Sequence, residues 1–180
     1  MKKIVAIVGM CGSGKSVASD YLVDKGWNKI YFGGVTMNEL KKNNLDVTPD
    51  NERMMREKLR REYGMAAYAI LLLPQIKESI IEYDTVLDGL YSWDELLVLR
   101  KEFGDDLKII AVTADRDIRY NRLTTREIRP LTNEEALKRD ITEIENLAKG
   151  GPIALADYYI LNNGNVDEYI SRLEEIINEM

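Results

Sequence analysis

Gly9, Met10, Cys11, Gly12, Ser13, Gly14, Lys15 and Ser16 complete the pattern G-x-x-x-x-G-K-[ST], with Val17 next in line. Glycines at these places let the backbone curl so that successive N–H groups converge on phosphate oxygens, and a helix starting at Lys15 adds its positive end. Lys15 is then expected to reach the terminal phosphates of a nucleoside triphosphate, and the Ser16 hydroxyl to meet the Mg²⁺ that accompanies them. Contacts to ATP are expected from Gly9, Cys11, Gly12, Ser13, Gly14, Lys15, Ser16 and Val17. The pattern is informative only between a strand and a helix, and both flank it here. Cys11 holds a variable position of the loop and reads as a small filler, not a redox group.

Asp88 follows the apolar pair Val86 and Leu87 and precedes Gly89. Its carboxylate should emerge at the C-terminal end of a buried strand, where open α/β sheets bind ligands. There it would hold a Mg²⁺-bound water or meet the acceptor of a phosphoryl group; the plain alternative is a turn aspartate. Arg119, Arg122, Arg126 and Arg129 are spaced three, four and three apart, which places them on one stripe of a helix. Like charges on one stripe repel unless an anion faces them, so the stripe reads as a polyphosphate clamp with Arg116 and Arg139 as further members. The alternative is a solvated face paired to Asp117 and Glu127.

Arg53, Arg56, Arg60 and Arg61 form a second basic group, interleaved with Glu52, Glu57 and Glu62. Mixed signs at helical spacing also suit a solvated helix with i,i+4 pairs. Asn162, Asn163 and Gly164 make a turn that either lines a base pocket or is only a turn.

Composition narrows the chemistry. The chain has 180 residues, 45% of them hydrophobic, which suits one domain with one sizeable core. A formal charge of −6 argues against nucleic-acid or membrane-surface binding, so any anion site must be a local gathering of Arg and Lys. There is no histidine, which removes the commonest general base and a principal zinc ligand. A lone cysteine cannot form an internal disulfide, and no apolar stretch of about 20 residues appears. These features suit a cytoplasmic protein.

The elements that must position these residues follow from periodicity. Ile4 to Val8 is apolar without alternation, as in a parallel strand buried on both faces. A helix from about Lys15 to Lys25 stops at Gly26, and Ile30 to Phe32 offers a second strand. Asn51 to Tyr63 reads as a helix closed by Gly64, and Ala66 to Ile81 as another, interrupted or kinked at Pro74. Thr85 to Asp88 is a strand. Ser92 with Glu95 and Thr132 with Glu135 are capping boxes, the first for a helix to Gly104 and the second for one to Gly150 and Gly151. That second helix carries Leu137, Ile141, Ile144 and Ala148 on one face. Leu107 to Thr113 is a strand, Asp115 to Arg129 a basic helix stopped by Pro130, and Tyr158 to Leu161 the last strand. Asn165 caps a terminal helix whose Tyr169, Ile170, Leu173, Ile176 and Ile177 face the core. Strands alternating with helices imply an open α/β sheet covered on both faces.

With the phosphate loop, Asp88-Gly89, the arginine helix and Asn163-Gly164 in this order, the chain resembles the nucleoside monophosphate kinase superfamily. Within it the look is of dephospho-CoA kinases and of adenylate-kinase-related P-loop proteins of archaea and bacteria. Asn51-Glu52-Arg53, Arg56 to Arg60, Tyr63-Gly64-Met65 and Lys149 to Ala154 are similar to the second group in particular. The resemblance implies a three-layer P-loop kinase fold: a five-stranded parallel sheet with helices on both faces, an acceptor-binding region at about 35–75 and a mobile helical lid at about 116–150. It also implies that Arg122 packs against adenine while Arg126, Arg129 and Arg139 meet phosphates. Two departures stand out. The aspartate that dephospho-CoA kinases carry after the second strand is replaced by Phe32, Gly33, Gly34 and Val35. The arginine that adenylate kinases carry shortly after Asp-Gly is replaced by Leu90, Tyr91 and Ser92.

The resulting expectation is an ATP-dependent kinase acting on a small nucleotide-like acceptor, namely a nucleoside monophosphate whose phosphate takes the transferred group. Lys15, Asp88, Arg122 and Arg126 would act on the transferring group. Arg122 and Asn163 would hold the base, Ser16 and Asp88 the Mg²⁺, and Arg53, Arg56, Arg60, Asp88, Arg129 and Arg139 the acceptor. The chain would work as a monomer or weak homodimer. Rival expectations are a dephospho-CoA kinase-like enzyme acting on a sugar hydroxyl, and an ATP-binding sensor without transfer activity.

Overall fold

The computed structural model describes residues 2–180. Five strands form one all-parallel sheet: β1 (Ile4–Val8), β2 (Asn28–Tyr31), β3 (Thr85–Asp88), β4 (Leu107–Thr113) and β5 (Tyr158–Leu161), in the spatial order β2-β3-β1-β4-β5. From β1 the chain goes to the far edge at β2, returns beside β1 as β3, then crosses to the other side for β4 and β5. The reversal lies at the C-terminal end of β1, the crevice where open α/β sheets take their ligands. The phosphate loop leaves β1 at that place.

Every residue of β1 is buried, and its side chains alternate between two cores. Ile4, Ala6 and Val8 join Leu87, Ile109 and Ala111 under helices α2 (Gly34–Lys42), α3 (Pro49–Tyr63), α4 (Ala67–Glu82) and α5 (Trp93–Phe103). Val5 and Ile7 join Val86, Ile110 and Val112 under α1 (Lys15–Asp24) and α9 (Val166–Glu179). Each fully buried branched side chain contributes about 1.5–3 kcal/mol, so the sheet rather than any helix anchors the fold. Three further helices, α6 (Arg116–Thr125), α7 (Asn133–Leu147) and the short α8 (Gly150–Ala154), lie between β4 and β5.

The caps are where the residue pattern placed them. Ser92 and Thr132 each accept a hydrogen bond from the N–H three residues on, and the Glu95 and Glu135 carboxylates each accept one from the cap residue's own N–H. Asn165 caps α9, and Thr48 with Pro49 opens α3 two residues earlier than expected.

Several expectations are corrected. The helix from Asp115 stops at Thr125, because Arg126 is already extended (ψ 144°), so the four arginines do not form one stripe. Pro74 does not break α4; it and Ile70 lie on the exposed side, where solvent reaches the carbonyl that the missing N–H leaves unbonded. Helix α7 ends at Leu147, with Ala148 left-handed (φ 48°), so Gly150 and Gly151 begin α8 instead of closing α7. The apolar face of α7 points outward, with Leu137, Ile141 and Ile144 all exposed and Ala136 and Asp140 turned inward. Strand β2 begins at Asn28 and ends at Tyr31, and α2 is a helix that the residue pattern did not mark.

Candidate functional site

The phosphate loop is shaped by close approach. Gly9 has φ 147°, and a Cβ there would collide with the Val112 carbonyl on the neighbouring strand. Gly14 has φ 99° and lies against the Asn162 side chain, leaving no room for a Cβ. Asn162 is buried, donates from Nδ2 to the Ser13 carbonyl (2.8 Å) and thereby clips the loop to the end of β5. The Tyr169 hydroxyl donates to the Gly14 carbonyl (3.0 Å) from α9. Lys15 folds back so that Nζ donates to the Met10 carbonyl (3.0 Å), capping its own loop.

Beside the loop lies a cavity of about 400 Å³. Cys11, Gly12, Gly14, Lys15 and Ser16 form its floor, and Asp88, Tyr31 and Tyr91 stand at the ends of the neighbouring strands. The remaining wall carries Arg122, Arg126, Arg139, Glu143 and Lys149. Five cations face two carboxylates here, a local excess of positive charge in a chain of net charge −6. That is the focusing a polyanion requires. The Nη1 of Arg122 is buried and lacks a partner among the described residues, while its Nη2 donates to the Asn162 carbonyl (3.0 Å).

Burial, and then the nearby charge of Lys149, lower the Lys15 pKa from 10.5 to about 8. Glu143 is pushed up by burial, but the charges and hydrogen bonds of Lys149 and Arg139 outweigh this and hold its carboxyl below the usual range. Lys149 Nζ lies 2.6 Å from Glu143 Oε2, and Arg139 Nε 3.1 Å from Oε1. Burial raises the Tyr91 hydroxyl pKa, so that phenol stays neutral.

Asp88 is held at one oxygen. Ser19 Oγ donates to Oδ2 (3.2 Å), and Lys29 Nζ lies 2.9 Å from the same atom. Lys29 also pairs with Asp20 at 2.9 Å. Asp88 and the Ser16 hydroxyl therefore face one cavity as hard oxygen donors, which with phosphate oxygens and water suits Mg²⁺; no cluster of three or more carboxylate, thiol or imidazole groups that alone would hold a metal occurs among the described residues.

The expected site residues separate into two sets. Cys11, Gly12, Gly14, Lys15, Ser16, Asp88, Arg122, Arg126 and Arg139 come together at the cavity, with Gly9 and Ser13 shaping its loop. Val17 lies exposed on α1, outside the lining. Asn163 is also outside it: its Oδ1 accepts the Asp115 N–H (2.9 Å), and the neighbouring Asn162 meets the loop instead. Arg119 turns inward to Asp140 and to the Cys11 carbonyl (2.9 Å), so it is a brace and not part of a clamp. Arg129 pairs with Glu52 across from α3 (3.1 Å), Arg56 with the same Glu52 (3.3 Å) and Arg53 with Asp50 (3.4 Å). None of Arg53, Arg56, Arg60 and Arg129 lines the cavity.

Lys149, Glu143, Tyr31, Tyr91 and Lys29 were not singled out by chemistry in the sequence. Lys149 entered only as the first residue of the segment Lys149 to Ala154 that carries the family resemblance.

A family model described as an AAA domain matches residues 5–148. A UPF0200 protein of Sulfurisphaera tokodaii is 36% identical over 180 residues, covering 97% of this chain and 96% of the relative. One of Thermococcus onnurineus is 32% identical over 181 residues, covering 98% and 97%. Among solved structures, TT1252 from Thermus thermophilus has a TM-score of 0.66 at 18% identity, covering 99% of this chain and 98% of that one. Shikimate kinase from Bacteroides thetaiotaomicron has a TM-score of 0.61 at 13% identity, covering 98% of each. At such identities the likeness is one of fold. The chain belongs to the AAA domain family, together with the UPF0200 proteins, and has the P-loop kinase-like architecture.

Proposed function

We propose that the chain is a single-domain cytoplasmic kinase, monomeric or weakly dimeric, that moves the terminal phosphoryl group of Mg·ATP to a small nucleotide-like acceptor. One observation carries the reading: the lysine and serine of a complete phosphate loop share a cavity with Arg122, Arg126, Arg139 and an aspartate at a strand end. Phosphoryl transfer asks for this and little more, since its transition state is stabilised by positioning and by cations around the moving group.

Lys15 holds the terminal phosphates, Arg122 packs on the base side, and Arg126 and Arg139 neutralise charge. Ser16 and Asp88 would hold Mg²⁺, which when bound would supply Lewis-acid neutralisation of the phosphate oxygens. Lys29 and Ser19 fix the Asp88 carboxylate by one oxygen, leaving its orientation set before substrate arrives.

A hydroxyl acceptor is the second reading, and it too has a specific support. Asp88 and two tyrosine hydroxyls stand at the cavity, whereas Arg53, Arg56 and Arg60, which an acceptor phosphate would need, do not. The structural neighbours include proteins titled shikimate kinase and gluconokinase. Incubating the protein with γ-labelled ATP and a panel of nucleoside monophosphates, dephospho-CoA and small sugars separates these readings. Label in a monophosphate supports the first, label in dephospho-CoA or a sugar the second, and label retained in ATP with tight binding leaves a sensor.

A further inference from the structure

Lys149 is 2% exposed, an unusual position for an ammonium group, which loses several kcal/mol of hydration on burial. Three features of the chain force it there. Ala148 adopts a left-handed conformation (φ 48°) that swings the backbone inward. Gly151 packs its Cα against the Trp93 ring so closely that a Cβ would lie 2.6 Å from a ring carbon, which seats α8 against α5. The Tyr91 ring lies 4.4 Å from Lys149 Nζ and receives the cation on its face.

A lysine needed only to join α7 to α8 would be satisfied by Glu143 and need no view of the cavity. Lys149 lines the cavity nonetheless, as Lys15 of the loop does. Two ammonium groups that line one cavity repel each other. Folding gains nothing from that opposition, whereas a polyanion between the two lysines converts it into attraction on both sides. Glu143 divides its two oxygens between Lys149 and Arg139, so one carboxylate serves two cations and leaves a positive surplus facing the cavity.

We propose that Lys149 is a second phosphate-contacting lysine, which meets the terminal phosphate of a bound nucleoside triphosphate together with Lys15. Glu143 is the counter-ion that stores Lys149 and Arg139 while no anion is bound. The inference rests on the ATP-dependent kinase reading and adds to it a residue that distinguishes triphosphate from diphosphate.

Calorimetric titration of ATP and of ADP, with Mg²⁺, into the parent protein, Lys149→Met, Lys149→Arg and the double variant Lys149→Met/Glu143→Gln tests it. Losing a charge-assisted hydrogen bond should weaken ATP by about 10- to 100-fold while ADP changes by less than about threefold. Lys149→Arg should recover most of the ATP affinity. The double variant leaves no buried carboxylate without a partner, so it should fold like the parent and show the same ATP-selective loss. Equal weakening of ATP and ADP, or no weakening, in a folded variant of a parent that binds ATP overturns the role of Lys149 and leaves the kinase reading standing. A parent that binds neither nucleotide overturns both.

Discussion

Arg119 and Asp140 face each other as a two-pronged ion pair, Nη2 to Oδ2 at 2.6 Å and Nη1 to Oδ1 at 3.1 Å, with both side chains 9% exposed. The Tyr120 hydroxyl adds a third contact to Asp140 (3.2 Å). Removing one partner strands a buried charge, which costs about 3–5 kcal/mol. Arg119→Ala and Asp140→Ala should each lower the urea midpoint by that equivalent, and a midpoint shift near zero would mean the pair is not formed in solution.

Lys15→Ala should abolish or greatly weaken ATP binding with the fold retained. Among the described residues the only hydrogen bond of its ammonium group is to the Met10 carbonyl, so the fold loses one such bond with it. Titration calorimetry with circular dichroism alongside reads both quantities; unchanged ATP affinity in a folded variant would end the phosphate-loop reading.

The lowered Lys15 pKa fixes the sign of a pH effect. The unfolded chain keeps this lysine protonated to its ordinary 10.5, while the folded chain releases the proton near 8. Between these values the unfolded state binds more protons, so this group makes stability rise with pH, and its cost is fully present below about 8. ATP needs the charged form, so affinity should fall as pH rises above 8, with proton uptake on binding. Melts from pH 7 to 10 of the parent and of Lys15→Met check the first effect, since the variant should lack the rise.

Arg126→Ala should reduce turnover of whichever acceptor the labelling screen identifies, by roughly 10²-fold, because a cation on the moving phosphoryl group acts mostly at the transition state. Among the described residues its side chain bonds only the Arg129 carbonyl (2.7 Å) at the surface, so the melting temperature should hold. A lower melting temperature with unchanged kinetics would assign the residue to the loop instead.

Asp88→Asn keeps the shape of the side chain and removes its charge and basicity. For a phosphate acceptor it should weaken Mg²⁺-dependent ATP binding and slow turnover together. Phosphorylation of dephospho-CoA by the parent, lost in the variant with Mg·ATP affinity unchanged, would make Asp88 a base and the acceptor a hydroxyl.

Much of the fold was legible because its signals are local. Buried strands read as unbroken apolar runs, and Ser92, Thr132 and Asn165 marked their helices through side-chain bonds within three residues. The loop itself was legible for the same reason. The arginines were not, because periodicity assumes that a helix continues: Arg122 and Arg126 reach the cavity, but Arg119 and Arg129 leave for partners 21 and 77 residues away. Leu137, Ile141 and Ile144 share a face as expected, yet nothing in their spacing tells whether sheet or solvent lies beyond it. Lys149 reaches the site by a turn at a non-glycine residue, Ala148, which no spacing rule marks.

The brace at Arg119 also limits which part of residues 116–150 can swing. Arg119 grips the Cys11 carbonyl in the loop and Asp140 in α7 at once, so α6, α7 and the loop are fastened together. Lifting the whole segment as a lid would break that buried pair and pull on the phosphate loop at the same time. The stretch that this brace does not hold begins after Thr125, where Arg126 is extended and the exposed guanidinium of Arg129 reaches Glu52 of α3. Residues 116–150 are therefore two unequal parts: one fastened to the phosphate loop, and a short connection outside its grip.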